Sequence, residues 1–485
     1  MSTERVLVVD VGTSSVRVGV YDAQGFAVHG TERELLPDSP ADGIVEFDAR
    51  AMAATCVELA TAALDHAGPV DAVGITDQRG STVVWDRSTG EPVGPGIGWQ
   101  DLRTVGACLM LRSKGVRVGP NQSATKLQWL LEQLPDRGRD RDLCFGTVDT
   151  WVAWTLSNGA AHVTDASNAA ITGFQLARSP SAWDPATLAA LDVPASMLPS
   201  ITDSSGVVGE ASALPGGPPI AALLGDQQAS LVGQGCVRPG DAKITFCTGG
   251  MLDLVLGEQR PAFDQRGPAG TFPIVAWRQA GRVTWGAEAV MLAAGTNVQW
   301  LRDGLGLISS SDESDEVAAA CDDTGGVVYV PALLGLGTPA WDYGARGAFF
   351  GLTRGTGRPE MVRAVLEGIA HRGADLVEAA EADTGVTIPA LRVDGGMTDN
   401  DTFVQALADA AQKPVEISPM REATSRGAAL MAALAVGHHG SVDDLAHTWQ
   451  PRVRVEPRRE LDRDRWREAV SRSRHWIPEL SGIDF

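Results

Sequence analysis

With 485 residues, 44% of them hydrophobic and 21% charged, the chain has the composition of a soluble globular protein, and its length predicts two domains of roughly 200 to 250 residues. Disordered and fibrous classes are excluded. A formal charge of −21 argues against a nucleic-acid or anionic-membrane partner, since those select basic patches, but it is compatible with a phosphorylated small molecule held by a few local Arg and Lys residues.

No apolar run approaches the roughly 18 to 20 residues of a membrane helix, and the N-terminus passes straight into a strand without a signal peptide. The six cysteines, Cys56, Cys108, Cys144, Cys236, Cys247 and Cys321, form no CxxC pair and read as buried thiols of a reducing cytoplasm.

The first element is an apolar run, Val6-Leu7-Val8-Val9, ending in Asp10 and followed by Val11-Gly12-Thr13-Ser14-Ser15 and the alternating Val16, Val18 and Val20. This is a hairpin whose turn is rich in N–H and hydroxyl donors and can cradle a phosphate. Asp10 at the strand end either caps the turn or holds a magnesium ion through water, because Mg²⁺ keeps much of its hydration shell. From Val70 to Trp85 the pattern is strand, turn, strand, with Asp77-Gln78-Arg79 as a polar cluster at a strand end, and Trp99-Gln100-Asp101 follows a Gly/Pro-rich loop. An Arg beside a Trp suits recognition of hydroxyls against an apolar face; taken singly, each reads as structural. Phe145 to Trp151 starts a helix with Thr or Asp as its cap, and Pro194 to Pro219 reads as surface connection with a short strand.

Ile220-Ala221-Ala222-Leu223-Leu224 predicts a buried strand ending at Gly225, and Asp226 to Val232 the first turns of a helix. Such a turn faces the crevice at the carboxyl ends of an open α/β sheet. Asp226 there is either a helix N-cap or a general base toward a bound hydroxyl. A domain boundary is expected near Val237-Arg238-Pro239-Gly240, giving units 1–237 and 238–485.

The second half repeats the opening: Ala242 to Phe246, then Cys247-Thr248-Gly249-Gly250, then Met251 to Leu256, is again strand, Thr/Gly turn, strand. Two such hairpins can close on a nucleotide from both sides. Pro359 to Ala382 has helical spacing with Pro359 suited to the first turn, Ala390 to Asp394 is a strand ending in Gly395-Gly396, and a helix follows from about Asn400. The Gly-Gly turn lets a ligand approach the backbone. Ala423 to Ala435 is a helix of small residues suited to close packing. Ser309 to Glu316, His438-His439 and Arg458 to Arg474 read as scaffold: a loop and helix start, a loop, and a solvated helix face.

The strings DVGTSSVR (Asp10 to Arg17), GITDQRGSTVVWD (Gly74 to Asp86), GTVDTW (Gly146 to Trp151), GDQQAS (Gly225 to Ser230), QWLRD (Gln299 to Asp303), ARGAFFGLTRG (Ala345 to Gly355) and LRVDGGMTDND (Leu391 to Asp401) occur in this order. Together they resemble the FGGY carbohydrate kinases of the actin, hexokinase and Hsp70 superfamily, most closely the glycerol kinase branch, from about Val6 to Gly437. The resemblance implies an α/β fold of two ribonuclease-H-like, actin-like ATPase domains with a catalytic cleft between them. It implies transfer of the γ-phosphate of ATP to a sugar or polyol hydroxyl, with Asp226 as general base and Asp10 as the Mg²⁺-associated carboxylate. Thr13, Ser14 and Arg17 would approach the transferring phosphoryl group, Thr248 and Gly249 would hold the nucleotide phosphates, and Gly395, Gly396 and Asn400 would line the adenine and ribose site. Arg79, Trp99, Asp226 and Gln227 would hold the substrate. A cytoplasmic homo-oligomer, dimer or tetramer, is expected on the same ground.

The sequence departs from the glycerol kinase pattern in the acceptor pocket. A Glu that accepts substrate hydroxyls is Gly80 here, a Tyr is Asn121, a Phe is Met251, and the Asn before Gln-Arg is Asp77. Loss of a hydroxyl-binding carboxylate weakens discrimination strongly. The replacements predict a roomier pocket for a longer polyol or a ketose, such as a tetritol, pentitol, xylulose or ribulose, with glycerol retained if Asp77 replaces the missing carboxylate. A non-kinase ATPase that binds proteins is the competing class, and it would have no use for the polyol cluster of Asp226, Arg79 and Trp99.

Overall fold

The computed structural model describes residues 4–420 and 422–483. The outer ends expected for the two domains, Met1 and Phe485, lie outside these residues. One thirteen-stranded sheet runs through both halves of the chain, among the described residues. In the first half it contains β1 (Arg5–Val11), β2 (Ser15–Asp22), β3 (Ala27–Glu34), β4 (Ala72–Asp77), β5 (Ser205–Glu210) and β6 (Pro219–Gly225). The second half supplies β7 (Ala242–Phe246), β8 (Gly250–Gly257), β9 (Phe272–Gln279), β10 (Arg282–Met291), β11 (Leu391–Asp394), β12 (Val415–Ile417) and β13 (Val453–Val455). The helices used below are α1 (Ala49–Ala67), α2 (Ala124–Glu132), α3 (Val148–Leu156), α4 (Asp226–Gly233), α5 (Arg358–Thr384), α6 (Asp401–Ala411) and α7 (Ala423–Ala435).

The two halves share one topology. In the first, β3-β2-β1 is an antiparallel meander and β1-β4-β6 is parallel; in the second, β10-β8-β7 and β7-β11-β12 repeat this pattern. Each half adds an antiparallel strand at the far end of its parallel set, β5 beside β6 and β13 beside β12, and the second half carries one more, β9 beside β10. The sheets meet at a single register pair, Ser205 with Gln279, where β5 touches β9. The central strands are continuous apolar runs because helices cover both of their faces; Val6, Leu7, Val8, Val9, Ile220, Leu223 and Leu224 are wholly buried.

Parallel pairing sets the site. Val11 and Gly225 both align with Asp77 of β4, so Asp10, Asp77 and Asp226 end neighbouring strands at one edge of the sheet. Helices α4 and α7 cross with their backbones touching: a Cβ on Gly233 would overlap the Ala423 carbonyl, and one on Gly427 would overlap the Ala229 carbonyl. The small residues of α7 are thus required by the crossing, and the crossing joins the two halves at the base of the cleft.

Candidate active site

The first wall is the β1–β2 hairpin. Gly12 N–H donates to the Ser15 carbonyl at 2.9 Å, leaving Thr13 and Ser14 at the open tip of the turn. Asp10 is 3% exposed, and its Oδ2 accepts from Ser425 Oγ of α7 at 2.6 Å. Burial pushes its carboxyl up to about 6, against the pull of the Ser425 hydrogen bond and of Arg17. Arg17 lies between Glu32 at 3.0 Å and Glu422 at 3.5 Å.

The opposite wall is the β7–β8 hairpin, closed by Cys247 N–H to the Gly249 carbonyl at 2.9 Å, with Thr248 exposed at its tip. Beside it, β11 ends at Asp394, and Gly395 has φ +92 with the Phe246 carbonyl where a Cβ would stand. Only glycine fits that backbone, and Gly396 next to it opens onto free space. Asn400 caps α6: its side chain accepts from Phe403 N at 2.7 Å and donates to Ser314 Oγ at 3.0 Å. A single 3₁₀ turn, Gly396–Asp399, separates the strand from this helix.

Between the walls, Asp226 is the first residue of α4. Its Oδ1 accepts from Gln227 N at 2.8 Å and lies 3.6 Å from Arg79 Nε. Desolvation raises its pKa, and the Arg79 guanidinium is the largest opposing influence. Arg79 Nη2 also pairs with Glu288 at 2.6 Å, across the two halves. Lys243 Nζ contacts Gln227 Oε1 at 2.6 Å, Asp253 at 2.8 Å and Thr245 Oγ1 at 3.0 Å. Asp253 aligns with Lys243 on one side and Glu288 on the other, so a row of charge crosses three strands toward Arg79 and Asp226. Met251 shares this sheet face, two residues from Asp253. Trp99 forms the remaining side, with its indole N–H donating to Thr13 Oγ1 at 3.1 Å.

The structure therefore gathers Asp10, Thr13, Ser14 and Arg17 at one hairpin, Thr248 and Gly249 at the other, and Arg79, Trp99, Asp226, Gln227 and Met251 between them. Two expectations are corrected. Asp77 does not face the pocket: it is fully buried, with Oδ1 accepting from Asn168 at 2.9 Å and Oδ2 from Asp149 N at 3.2 Å, so it cannot replace a hydroxyl-binding carboxylate. Asn121 sets its backbone against Gly80 (φ +76), where a Cβ would stand 2.5 Å from the Asn121 carbonyl, while the Asn121 side chain is exposed. The room left at Gly80 is thus filled by a neighbouring backbone, and the widening expected there is absent. Lys243, Asp253, Glu288 and Ser425 were not predicted; the one local signal is Lys243 alternating with Thr245 in an otherwise apolar strand.

Residues 5–233 match the N-terminal domain, and residues 246–436 the C-terminal domain, of the FGGY family of carbohydrate kinases. The chain belongs to the FGGY family of carbohydrate kinases. As such it is an ATP-dependent phosphotransferase with an alcohol group as acceptor. This FGGY kinase is 43% identical to a glycerol kinase of Aromatoleum aromaticum, over 97% of this chain and 99% of that one. It is 40% identical to glycerol kinase 2 of Thermotoga maritima, over 97% and 99%. Among solved structures, glycerol kinase of Plasmodium falciparum with ADP superposes with a TM-score of 0.89 at 27% identity, covering 99% of both chains. A xylulose kinase of Rhodospirillum rubrum shares the fold, with a TM-score of 0.84 at 21% identity over 97% of this chain and 98% of that one. No helix among the described residues is long and apolar enough to cross a membrane.

Proposed function

We propose that this FGGY kinase transfers the γ-phosphoryl group of Mg-ATP to a hydroxyl of glycerol or a similarly short, uncharged polyol, with Asp226 as general base. The observation that carries this reading is accessibility. The Asp226 side chain is 35% exposed, whereas Glu288 is 10%, Asp253 0% and Asp10 3% exposed. Of these carboxylates, Asp226 is the one open to the cleft, so a substrate hydroxyl can reach its oxygen there, whereas the exposed Glu32 and Glu422 are paired with Arg17 at the first hairpin. Arg79 beside it orients that hydroxyl and balances the charge of the base, and the indole of Trp99 covers the carbon chain. Arg79 is already paired with Glu288 and Asp226, which disfavours acceptors that carry a carboxylate or phosphate. Identity of 40–43% to glycerol kinases over nearly the whole chain supports glycerol itself.

The nucleotide fits the opposite side, with Thr248 and Gly249 at its phosphates and Gly395, Gly396 and Asn400 at the adenosine. We assign base and acceptor to residues 1–237 and the nucleotide to 238–485, although Lys243, Met251 and Glu288 reach the acceptor side from the second half. Among the described residues no cluster of three or more His, Cys, Asp or Glu could hold a metal alone. Asp10, buried and with one oxygen bonded to Ser425, suits a hydrated Mg²⁺ whose other ligands are the nucleotide phosphates. Bound there, Mg²⁺ would neutralise phosphate charge. Thr13, Ser14 and Arg17 would position the phosphoryl group, and closure of the cleft would exclude water as a rival nucleophile. The same reading gives a cytoplasmic homo-oligomer; Cys56, Cys108, Cys144 and Cys236 are buried as expected, whereas Cys247 is exposed and Cys321 half-buried.

The test is acceptor-dependent ADP release with Mg-ATP against glycerol, erythritol, ribitol, xylitol, xylulose and ribulose. The highest kcat/KM is expected with glycerol. A clear preference for a four- or five-carbon acceptor would show that Asn121 and Met251, in place of aromatic walls, set a separate specificity.

A further inference from the structure

We propose that Lys126 is a positioning residue of the acceptor pocket: from inside the core, its ammonium fixes the carbonyls of Trp99 and Asn121, the two segments that wall the pocket opposite Asp226. This inference rests on the reading of the cleft as a polyol site.

Lys126 lies in α2 and is wholly buried. Its Nζ donates to Trp99 O at 3.1 Å and to Asn121 O at 3.4 Å. The nearby Asp101 is committed elsewhere, to Arg103 Nη2 at 2.8 Å and to Val45 N at 2.6 Å. An ammonium held by carbonyls alone is expensive to bury, and a Leu or Met would fill the same volume without that cost. Burial brings its pKa down to about 7, opposed by Asp101 and Cys108 and assisted by Arg103. The cost is balanced by what the two carbonyls hold in place.

Trp99 is fixed at three atoms: its carbonyl by Lys126, its N–H by Ser81 Oγ at 3.0 Å, and its indole N–H by Thr13 at 3.1 Å. The Asn121 carbonyl closes the space above Gly80, whose own carbonyl accepts from Ser123 Oγ at 3.1 Å. One ammonium thus sets the separation of the two walls, and through Trp99 it reaches the first phosphate hairpin. A chain without a side chain at residue 80 depends on this backbone wall for the shape of its acceptor site.

The test compares K126M, K126Q and L127A in the acceptor-dependent ADP-release assay, with thermal midpoints alongside. Leu127 is equally buried in α2 and is not placed in the pocket, so L127A reports destabilisation alone. K126M is expected to raise the acceptor KM at least tenfold while the ATP KM stays within about twofold, because small misplacements in a positioning shell cost up to about 10²-fold. K126Q, whose amide can still donate to both carbonyls, is expected to recover part of that loss, and it serves if K126M does not fold. Acceptor KM values within twofold of the parent in both variants would overturn the proposal, as would equal rises in both KM values matching L127A. Failure of the polyol reading would appear separately, as absence of acceptor-dependent turnover in the parent enzyme.

Discussion

Asp10 is the cleft carboxylate whose ionisation bears most directly on metal binding. Its pKa is raised by burial from 3.8 to about 6, so its contribution to stability is present below pH 3.8 and is lost as pH rises through about 6. Metal binding runs the other way, because Mg²⁺ needs the charged form. Calorimetric titration of Mg-ADP should therefore weaken as pH falls through about 6, and D10N should bind weakly with little pH dependence; an unchanged affinity in D10N would remove Asp10 from the metal site. The positions of Asp10, Asp226 and Arg79 were legible in the sequence because each lies at or just past the end of an apolar strand, where a polar residue is visible locally. Glu288 was not, since its partner Arg79 lies 209 residues away and nothing in the local pattern of β10 marks it. Asp77 misled for a related reason: a strand end shows where a side chain starts but not to which side it turns, and Asn168 and the Asp149 backbone drew it inward.

The crossing of α4 and α7 accounts for the small residues read in Ala423–Ala435. Introducing a methyl group at Gly427 would drive it into the Ala229 carbonyl of the partner helix. G427A should cost about 3 kcal/mol or prevent folding, since overpacking a tight contact costs roughly 1–3 kcal/mol and a backbone carbonyl cannot swing aside as a side chain does. Gly106, in the short helix Val105–Ser113, has open space at its Cβ position, and G106A should be neutral or stabilising by up to about 1 kcal/mol. Urea unfolding of the two variants checks the contrast. Both hairpins were legible from their turn chemistry, and α4 was found at Asp226–Gly233 where the strand-to-helix switch predicted it. The 3₁₀ turn at Gly396–Asp399 was not, because one turn is too short to show a period.

Across the whole molecule, polar contacts join the halves both at the proposed site, through Arg79 with Glu288, Ser425 with Asp10, Ser230 with Asp394, Lys243 with Gln227 and Arg17 with Glu422, and away from it, through Arg278 with Asp203, Arg426 with Gly233 and Ser205 with Met431. The duplicated topology was readable as two copies of strand, turn, strand; the continuity of the sheet was not, because it depends on one register pair between β5 and β9. Removing one partner of a buried ion pair leaves the other uncompensated, so E288A should destabilise the fold by about 3–5 kcal/mol in urea unfolding; a loss under about 1 kcal/mol would mean that Asp226 alone satisfies Arg79. The most direct test of the central claim is phosphorus NMR of phosphorylated glycerol formed from Mg-ATP by the parent enzyme and by D226N. The account predicts a fall of roughly 10² to 10⁴ in turnover, the scale of a lost general base, with Mg-ADP affinity and thermal midpoint unchanged. Turnover of D226N at the parent rate would contradict it.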